Sequence, residues 1–202
     1  RTLDYGLDML AAYIFALDSF GRCYVVDELY EGKDNGHEGH IVSSAAAAVK
    51  RLIAGRKIER MFAPPDLWNR QKDTGRSIAA LFFEHGLHLS QVDNTRRAGW
   101  LELKEWLRPQ PLEQGGMRPR LLIFENCVNL IRAMSALCYS KDDSSDAATT
   151  PHELTHAPDA LRYFVSGQPK RYTPPPKAPK YAFKSERPKS ILPESNKMPR
   201  II

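Results

Sequence analysis

Two regularities predict a mixed α/β domain. Residues 1–30 read as a meander of apolar strands, and from about residue 38 helix-like and strand-like segments alternate. A third observation predicts where the domain ends: from Gln168 the composition turns basic and proline-rich, so the folded part is expected over 1–167 and a tail over 168–202. The fold expected is a mixed β-sheet, an antiparallel meander first and alternating helices and strands afterwards, flanked by helices.

Residues 2–5 open the meander. Met9 to Leu17 is an apolar run closed by the turn signal Asp18-Ser19-Phe20-Gly21, and Arg22 to Leu29 returns as the second arm of a hairpin. Ile41, Ala45, Ala48, Val49, Leu52 and Ile53 recur at steps of three and four, which predicts a helix over 38–55. The rest of the chain is read as a strand at Ile58–Phe62, a helix at Gly75–His85, a strand at Leu87–Val92 and a helix at Arg97–Leu107. A strand at Arg120–Phe124, a helix at Cys127–Leu137, a polar loop over 140–151 and a last helix at Pro158–Val165 follow. No apolar run approaches the ~18 residues of a membrane-spanning helix, and no signal segment opens the chain. The strand-like start directly after Arg1 suggests a domain that follows another.

Charge is divided unequally. The segment from Gln168 holds nine Lys/Arg against two acids, a net +7, which leaves −2 for the body out of a total of +5. The same segment holds eight of the fifteen prolines, so it is expected to be extended and to seek a polyanion or an acidic partner face. Three cysteines, Cys23, Cys127 and Cys138, form no CxxC pair, which argues against a disulfide framework or structural zinc. Buried, reduced thiols are expected.

Three acids stand where strands end or helices begin. Asp4 follows an apolar residue and has a glycine close behind. Asp66 lies just past the Ile58–Phe62 strand, and Asp159 opens the last helix. Acids of this kind can meet at one sheet edge and hold two divalent cations ~3.5–4 Å apart, which activate water and stabilise the leaving oxygen of a phosphodiester. An Asp beside a glycine is more often a turn residue, and one in a helix's first turn usually answers the helix dipole. Spacing alone therefore leaves both readings open.

An ordered set of segments adds weight. It comprises Asp4-Tyr5-Gly6 with the Ala11–Asp18 strand, Gly21-Arg22-Cys23-Tyr24-Val25-Val26-Asp27-Glu28, and Ala63-Pro64-Pro65-Asp66-Leu67-Trp68. Further on come Asp93-Asn94-Thr95-Arg96 before Gly99-Trp100, Leu121–Cys127 before Asn129–Arg132, and His156-Ala157-Pro158-Asp159-Ala160-Leu161-Arg162-Tyr163. Over residues 2–166 this set resembles the nuclease domain of tailed-bacteriophage large terminase subunits. The resemblance implies a ribonuclease H-like fold and a metal-dependent endonuclease that cuts concatemeric viral DNA with two Mg²⁺ or Mn²⁺ ions. It assigns the metals to Asp4, Asp66 and Asp159. Relatives place the middle acid where this chain has Pro64, so Asp66 stands two residues later; Asp8, Asp27 and Glu28 are the reserves. His156 and Asp8 are accessory candidates. Arg70, Lys72, Arg96 and Arg97 are candidates for sequence-blind phosphate contacts, with solvated loop charges the competing reading.

The partners implied are double-stranded DNA, an ATPase domain of the same polypeptide, the portal and the small terminase subunit. The place implied is the host cytoplasm, transiently at the procapsid portal. No GxxxxGK[ST] loop occurs here, so ATP-driven translocation is not expected of these residues. Another ribonuclease H-like nuclease, such as a junction resolvase, and a non-catalytic DNA-binding or assembly module are the alternatives.

His152-Glu153-Leu154-Thr155-His156 matches HExxH, the zinc-protease string. Pro151 and Pro158 bracket it, a helical Ala157 is disfavoured before Pro158, and the apolar periodicity of a buried helix is missing. The segment is therefore read as a loop ending in a helix cap at Thr155 or His156, and no stoichiometric zinc is expected.

Overall fold

The structure is a computed structural model that describes residues 1–6, 8–112 and 115–169. The expected tail from residue 170 lies outside the described residues.

Strand β1 (Thr2–Tyr5) pairs antiparallel with β2 (Met9–Leu17), and β2 pairs antiparallel with β3 (Cys23–Gly32). Helix α1 (Val42–Ile53), the two-residue strand β4 (Phe62–Ala63), helix α2 (Ile78–Glu84) and the equally short β5 (Ser90–Gln91) follow. Helix α3 (Arg96–Leu107), a small ribbon of β6 (Gln110–Pro111) and β7 (Met117–Arg118), strand β8 (Leu121–Ile123), helix α4 (Val128–Ala136) and helix α5 (His156–Ser166) complete the described elements. The main sheet runs β5-β4-β1-β2-β3-β8. Its β1–β4, β4–β5 and β3–β8 pairs are parallel, so β2 alone opposes the rest. This is the mixed sheet flanked by helices that the sequence predicts.

The central strand explains the two-layer core. Met9 to Ile14 are all buried, as an apolar run must be when both faces of a strand are covered. Met9, Ala11 and Tyr13 join the core under α3, α4 and α5, whereas Leu10 and Ala12 join the core under α1 and α2. In β1 the same period of two sends Leu3 and Tyr5 to the α1–α2 side and leaves Thr2 and Asp4 facing α5.

A bulge resets the phase of β3. Ile14 pairs with Asp27 and Phe15 with Val25, which leaves Val26 over. Before it, Cys23 and Val25 face the α5 side; after it, Tyr30 does. The shift also places Glu28 against α4, where its carboxylate accepts from the Asn129 and Leu130 amides at 2.9 and 3.0 Å. Glu28 thus caps α4 from another element, where the N-cap residue Cys127 supplies no side-chain bond. Asp27 instead meets Arg56 Nη2 at 2.8 Å. Two of the three reserve acids, Asp27 and Glu28, thus have structural partners.

Several boundaries differ from the sequence reading. Helix α1 starts at Val42 rather than 38, because Gly39 sits at φ +99°, a left-handed conformation no helix contains. Helix α2 starts at Ile78 rather than 75: Gly75 is also left-handed, and Ser77 caps the helix by accepting from the Ala80 amide at 3.1 Å. The strand expected from Ile58 shrinks to Phe62–Ala63, since Glu59 and Arg60 are exposed and break the apolar run. Helix α5 begins two residues before Pro158. Proline is its third residue, where the amide hydrogen has no partner within the helix in any case. The β6–β7 ribbon was not foreseen, although Gly115 and Gly116, both at positive φ, mark its turn. Cys23 and Cys127 are buried as expected, but Cys138 is exposed past the end of α4. No helix among the described residues is long and apolar enough to cross a membrane.

Candidate functional site

In an open sheet of parallel strands, ligands meet the crevice at the strands' carboxyl ends. Here β1, β4 and β5 deliver their carboxyl ends to one edge. Asp4 is the last residue but one of β1. Asp66 lies in a 3-10 turn (Pro65–Trp68) just beyond β4, with Pro65 setting its first turn. Asn94 follows β5, and the first turn of α5 brings His156 and Asp159 to the same edge.

Asp4 is buried and accepts a hydrogen bond from His156 Nδ1 at 2.7 Å. Burial raises the pKa of Asp4, the His156 bond opposes that rise, and the nearby charges of Asp159 and Asp66 add to it. The charges of the other two acids singled out in the sequence therefore reach Asp4. Burial also works against a charged His156, yet the Asp4 bond and the charges of Asp4, Asp8 and Asp159 outweigh it and raise its pKa. Asp66 is exposed, whereas Asp4 and Asp159 are buried.

Asp159 sits in a cationic clamp. Its Oδ1 accepts from Arg162 Nε at 2.9 Å and forms an ion pair with Nη2 at 2.8 Å, and Arg96 Nη1 approaches both oxygens at 3.3 and 3.4 Å. Arg162 is fully buried, so its charge needs such partners; Nη2 also donates to Asn94 Oδ1 at 2.6 Å, and the guanidinium lies 5.4 Å from the Trp100 ring. Gly99 makes the arrangement possible, because a Cβ there would come within 2.7 Å of Arg162 Cγ. Arg162 and Asn94 had no role in the sequence reading. The three-residue spacing of Asp159 and Arg162 on one helix was the available signal for the first; Asn94 offered none beyond its place after a strand.

The four cations proposed for phosphate divide into two pairs. Arg96 is held by Asp146 at 3.1 Å as well as by Asp159, and Arg97 pairs with Asp143. Arg70 and Lys72 are exposed on the loop before α2 and make no ion pair with a described residue.

The HExxH string falls at the rim. His152 to Leu154 form a 3-10 turn that runs into α5 at His156, with Thr155 in the cap position but making no cap bond. The two histidine rings lie 4.4 Å apart and meet edge-on. As expected from the bracketing prolines, the two histidines do not share one continuous α-helix. Asp8, in the β1–β2 turn, lies beside both.

No protein-family model and no curated protein sequence matches the chain. Solved structures do resemble it. The large terminase of a thermophilic bacteriophage, in complex with ADP, superposes with a TM-score of 0.63 at 16% identity, covering 82% of this chain and 38% of that one. The same protein in complex with ATP-gamma-S gives a TM-score of 0.62 at 15% identity, covering 81% and 38%. The fold is terminase-related. At this identity the likeness is one of fold, and this chain spans less than two fifths of the length of those proteins.

Proposed function

We propose that the chain is a metal-dependent endonuclease that cuts concatemeric, double-stranded viral DNA during genome packaging. The observation that supports this reading is the placing of Asp4 near the end of β1, Asp66 just past β4 and Asp159 in the first turn of α5, with the charges of Asp66 and Asp159 reaching buried Asp4. The terminase-like fold supports the packaging context.

The acids suit a cation. Asp4 is buried among like charges, a situation a cation relieves, and all three donors are carboxylate oxygens, which favour hard ions such as Mg²⁺ or Mn²⁺. Asp4, Asp66 and Asp159 would hold two of them. Such ions, when bound, activate a water and stabilise the leaving oxygen of a phosphodiester. The chain's own residues prepare this. His156 orients Asp4, Arg162 and Arg96 orient Asp159, and Arg70 and Lys72 offer exposed charges to the phosphate backbone. The partners this reading implies are DNA, an ATPase domain of the same polypeptide, the portal and the small terminase subunit. A DNA-binding or assembly module that does not cut has one observation in its favour: two guanidiniums already neutralise Asp159.

Nicking of supercoiled plasmid in the presence of Mn²⁺ separates the two. Cutting by the wild-type chain, its loss in Asp66→Ala and Asp159→Asn, and unchanged circular dichroism are the expected results. Near-normal cutting by Asp66→Ala moves the middle role to another acid, and a wild-type chain that binds plasmid without nicking it leaves the module.

A further inference from the structure

Asp8, His152 and His156 gather at the mouth of the site, and none of them holds an ion in the two-ion reading, where His156 only orients Asp4. Their ligand atoms all lie within 4.8 Å of one another. His156 Nε2 stands 3.4 Å from His152 Nδ1, and His152 Nδ1 stands 3.7 Å from Asp8 Oδ2. Ligand atoms about 2.0–2.1 Å from a tetrahedral ion are about 3.3–3.4 Å apart, so the histidine pair already has the spacing of one tetrahedral edge.

The second observation is the carboxylate behind the ring. Asp4 accepts from His156 Nδ1 at 2.7 Å. That bond fixes the hydrogen on Nδ1 and turns the Nε2 lone pair toward His152 and Asp8. A carboxylate behind a histidine is the usual outer support of a metal-binding imidazole. His156 is the buried, oriented ligand, with a side chain 12% exposed; His152 and Asp8 are 61% and 42% exposed and can adjust to an ion. A second grouping, Glu31, His37 and His40, lacks this property. Both ring nitrogens of His40 are already engaged, Nδ1 with Ser44 Oγ and Nε2 with Glu31.

We propose that Asp8, His152 and His156 bind one divalent transition-metal ion of the zinc type, with Asp4 as the carboxylate that orients His156 and a water in the fourth position. Mixed nitrogen and oxygen donors suit Zn²⁺ or Co²⁺ better than Mg²⁺. The ion joins the β1–β2 turn to the start of α5, next to the strand that carries Asp4 and on the helix that carries Asp159. The proposal does not rest on DNA cleavage, because no phosphodiester enters it.

The test is a titration of the metal-free full chain with Co²⁺, followed by the visible bands of four-coordinate cobalt, with Zn²⁺ as competitor. One four-coordinate Co²⁺ per chain is expected, displaced by Zn²⁺, with bands lost in His152→Gln and in Asp8→Asn. Asp4→Asn should keep the stoichiometry and weaken binding about 10- to 100-fold. Zn²⁺ should raise the melting temperature of the wild-type chain but not of His152→Gln, whose exposed position spares the fold. Asp66→Ala, expected to end cutting, should leave the cobalt spectrum unchanged, so failure of the nuclease reading and failure of this one are told apart. Absence of four-coordinate bands in the wild-type chain, retention of the bands in His152→Gln, or their loss in His40→Ala would each overturn the proposal.

Discussion

The residue with the least freedom at the site is Arg162. Its fully buried guanidinium is held through Nε and Nη2 by Asp159 and Asn94, Nη1 has no hydrogen-bond partner, and its stem lies against Gly99. Alanine at Gly99 would set Cβ 2.7 and 2.9 Å from the Arg162 Cγ and Cδ atoms, in the middle of a side chain that cannot swing away without abandoning Asp159. Gly99→Ala is therefore expected to cost about 1–3 kcal/mol, the range for overpacking a filled core, read from the urea midpoint at unchanged slope. An unshifted midpoint would mean that Arg162 has a second resting place. Asp4 and Asp159 were legible as candidates because an acid at the end of an apolar strand, or in the first turn of a helix, is a local pattern. The clamp around Asp159 was not, since Asn94 and Arg96 reach it from another element.

Among the elements, α4 depends on a residue about a hundred positions away. Glu28 accepts from the Asn129 amide, the Asn129 side-chain nitrogen and the Leu130 amide. Removing it leaves the helix start without that cap, so Glu28→Ala is expected to lower stability by about 1–2 kcal/mol, with faster amide exchange concentrated in the first turn of α4. Exchange spread evenly over the sheet would contradict this. The segment after α4 is fastened by two acids. Hydrogen bonds from Ser145, with the Arg97 pair, hold Asp143 below its ordinary carboxyl value. Burial works against ionisation of Asp146, but its bonds from Arg96 and the Ala147 amide outweigh that and hold it low as well. A carboxyl whose pKa is depressed on folding contributes stability that is present above its unfolded value and is lost as the pH falls through its folded value. Below about pH 3.8, the ordinary value for both, residues 140–147 should therefore loosen from α3. Amide exchange across an acid titration checks this, and loosening on the alkaline side instead would reverse the sign of the argument.

For the whole molecule, the unequal charge makes a separate prediction. The +7 segment from Gln168 lies beyond every proposed metal ligand. A chain ending at Gly167 is expected to cut short DNA at saturating concentration about as fast as the full chain, while binding more weakly at low salt and with a shallower salt dependence. Loss of turnover on truncation would show that the segment serves catalysis. The sequence by itself determined the order of the main strands and helices, the apolar run of the second strand and the placing of acids at element ends. Each is written in periods of two or 3.6 residues and in turn chemistry, which act over a few neighbouring positions. Only the tertiary structure decided the rest. The bulge at Val26 chose which face Glu28 serves. The packing of α5 between sheet and helices let that helix begin at His156 in spite of Pro158. The approach of the β1–β2 turn to residues 152–156 brought Asp8 beside His152 and His156, two residues of a string with the look of a chance match. These outcomes depend on which distant residues face one another, and no local period encodes that.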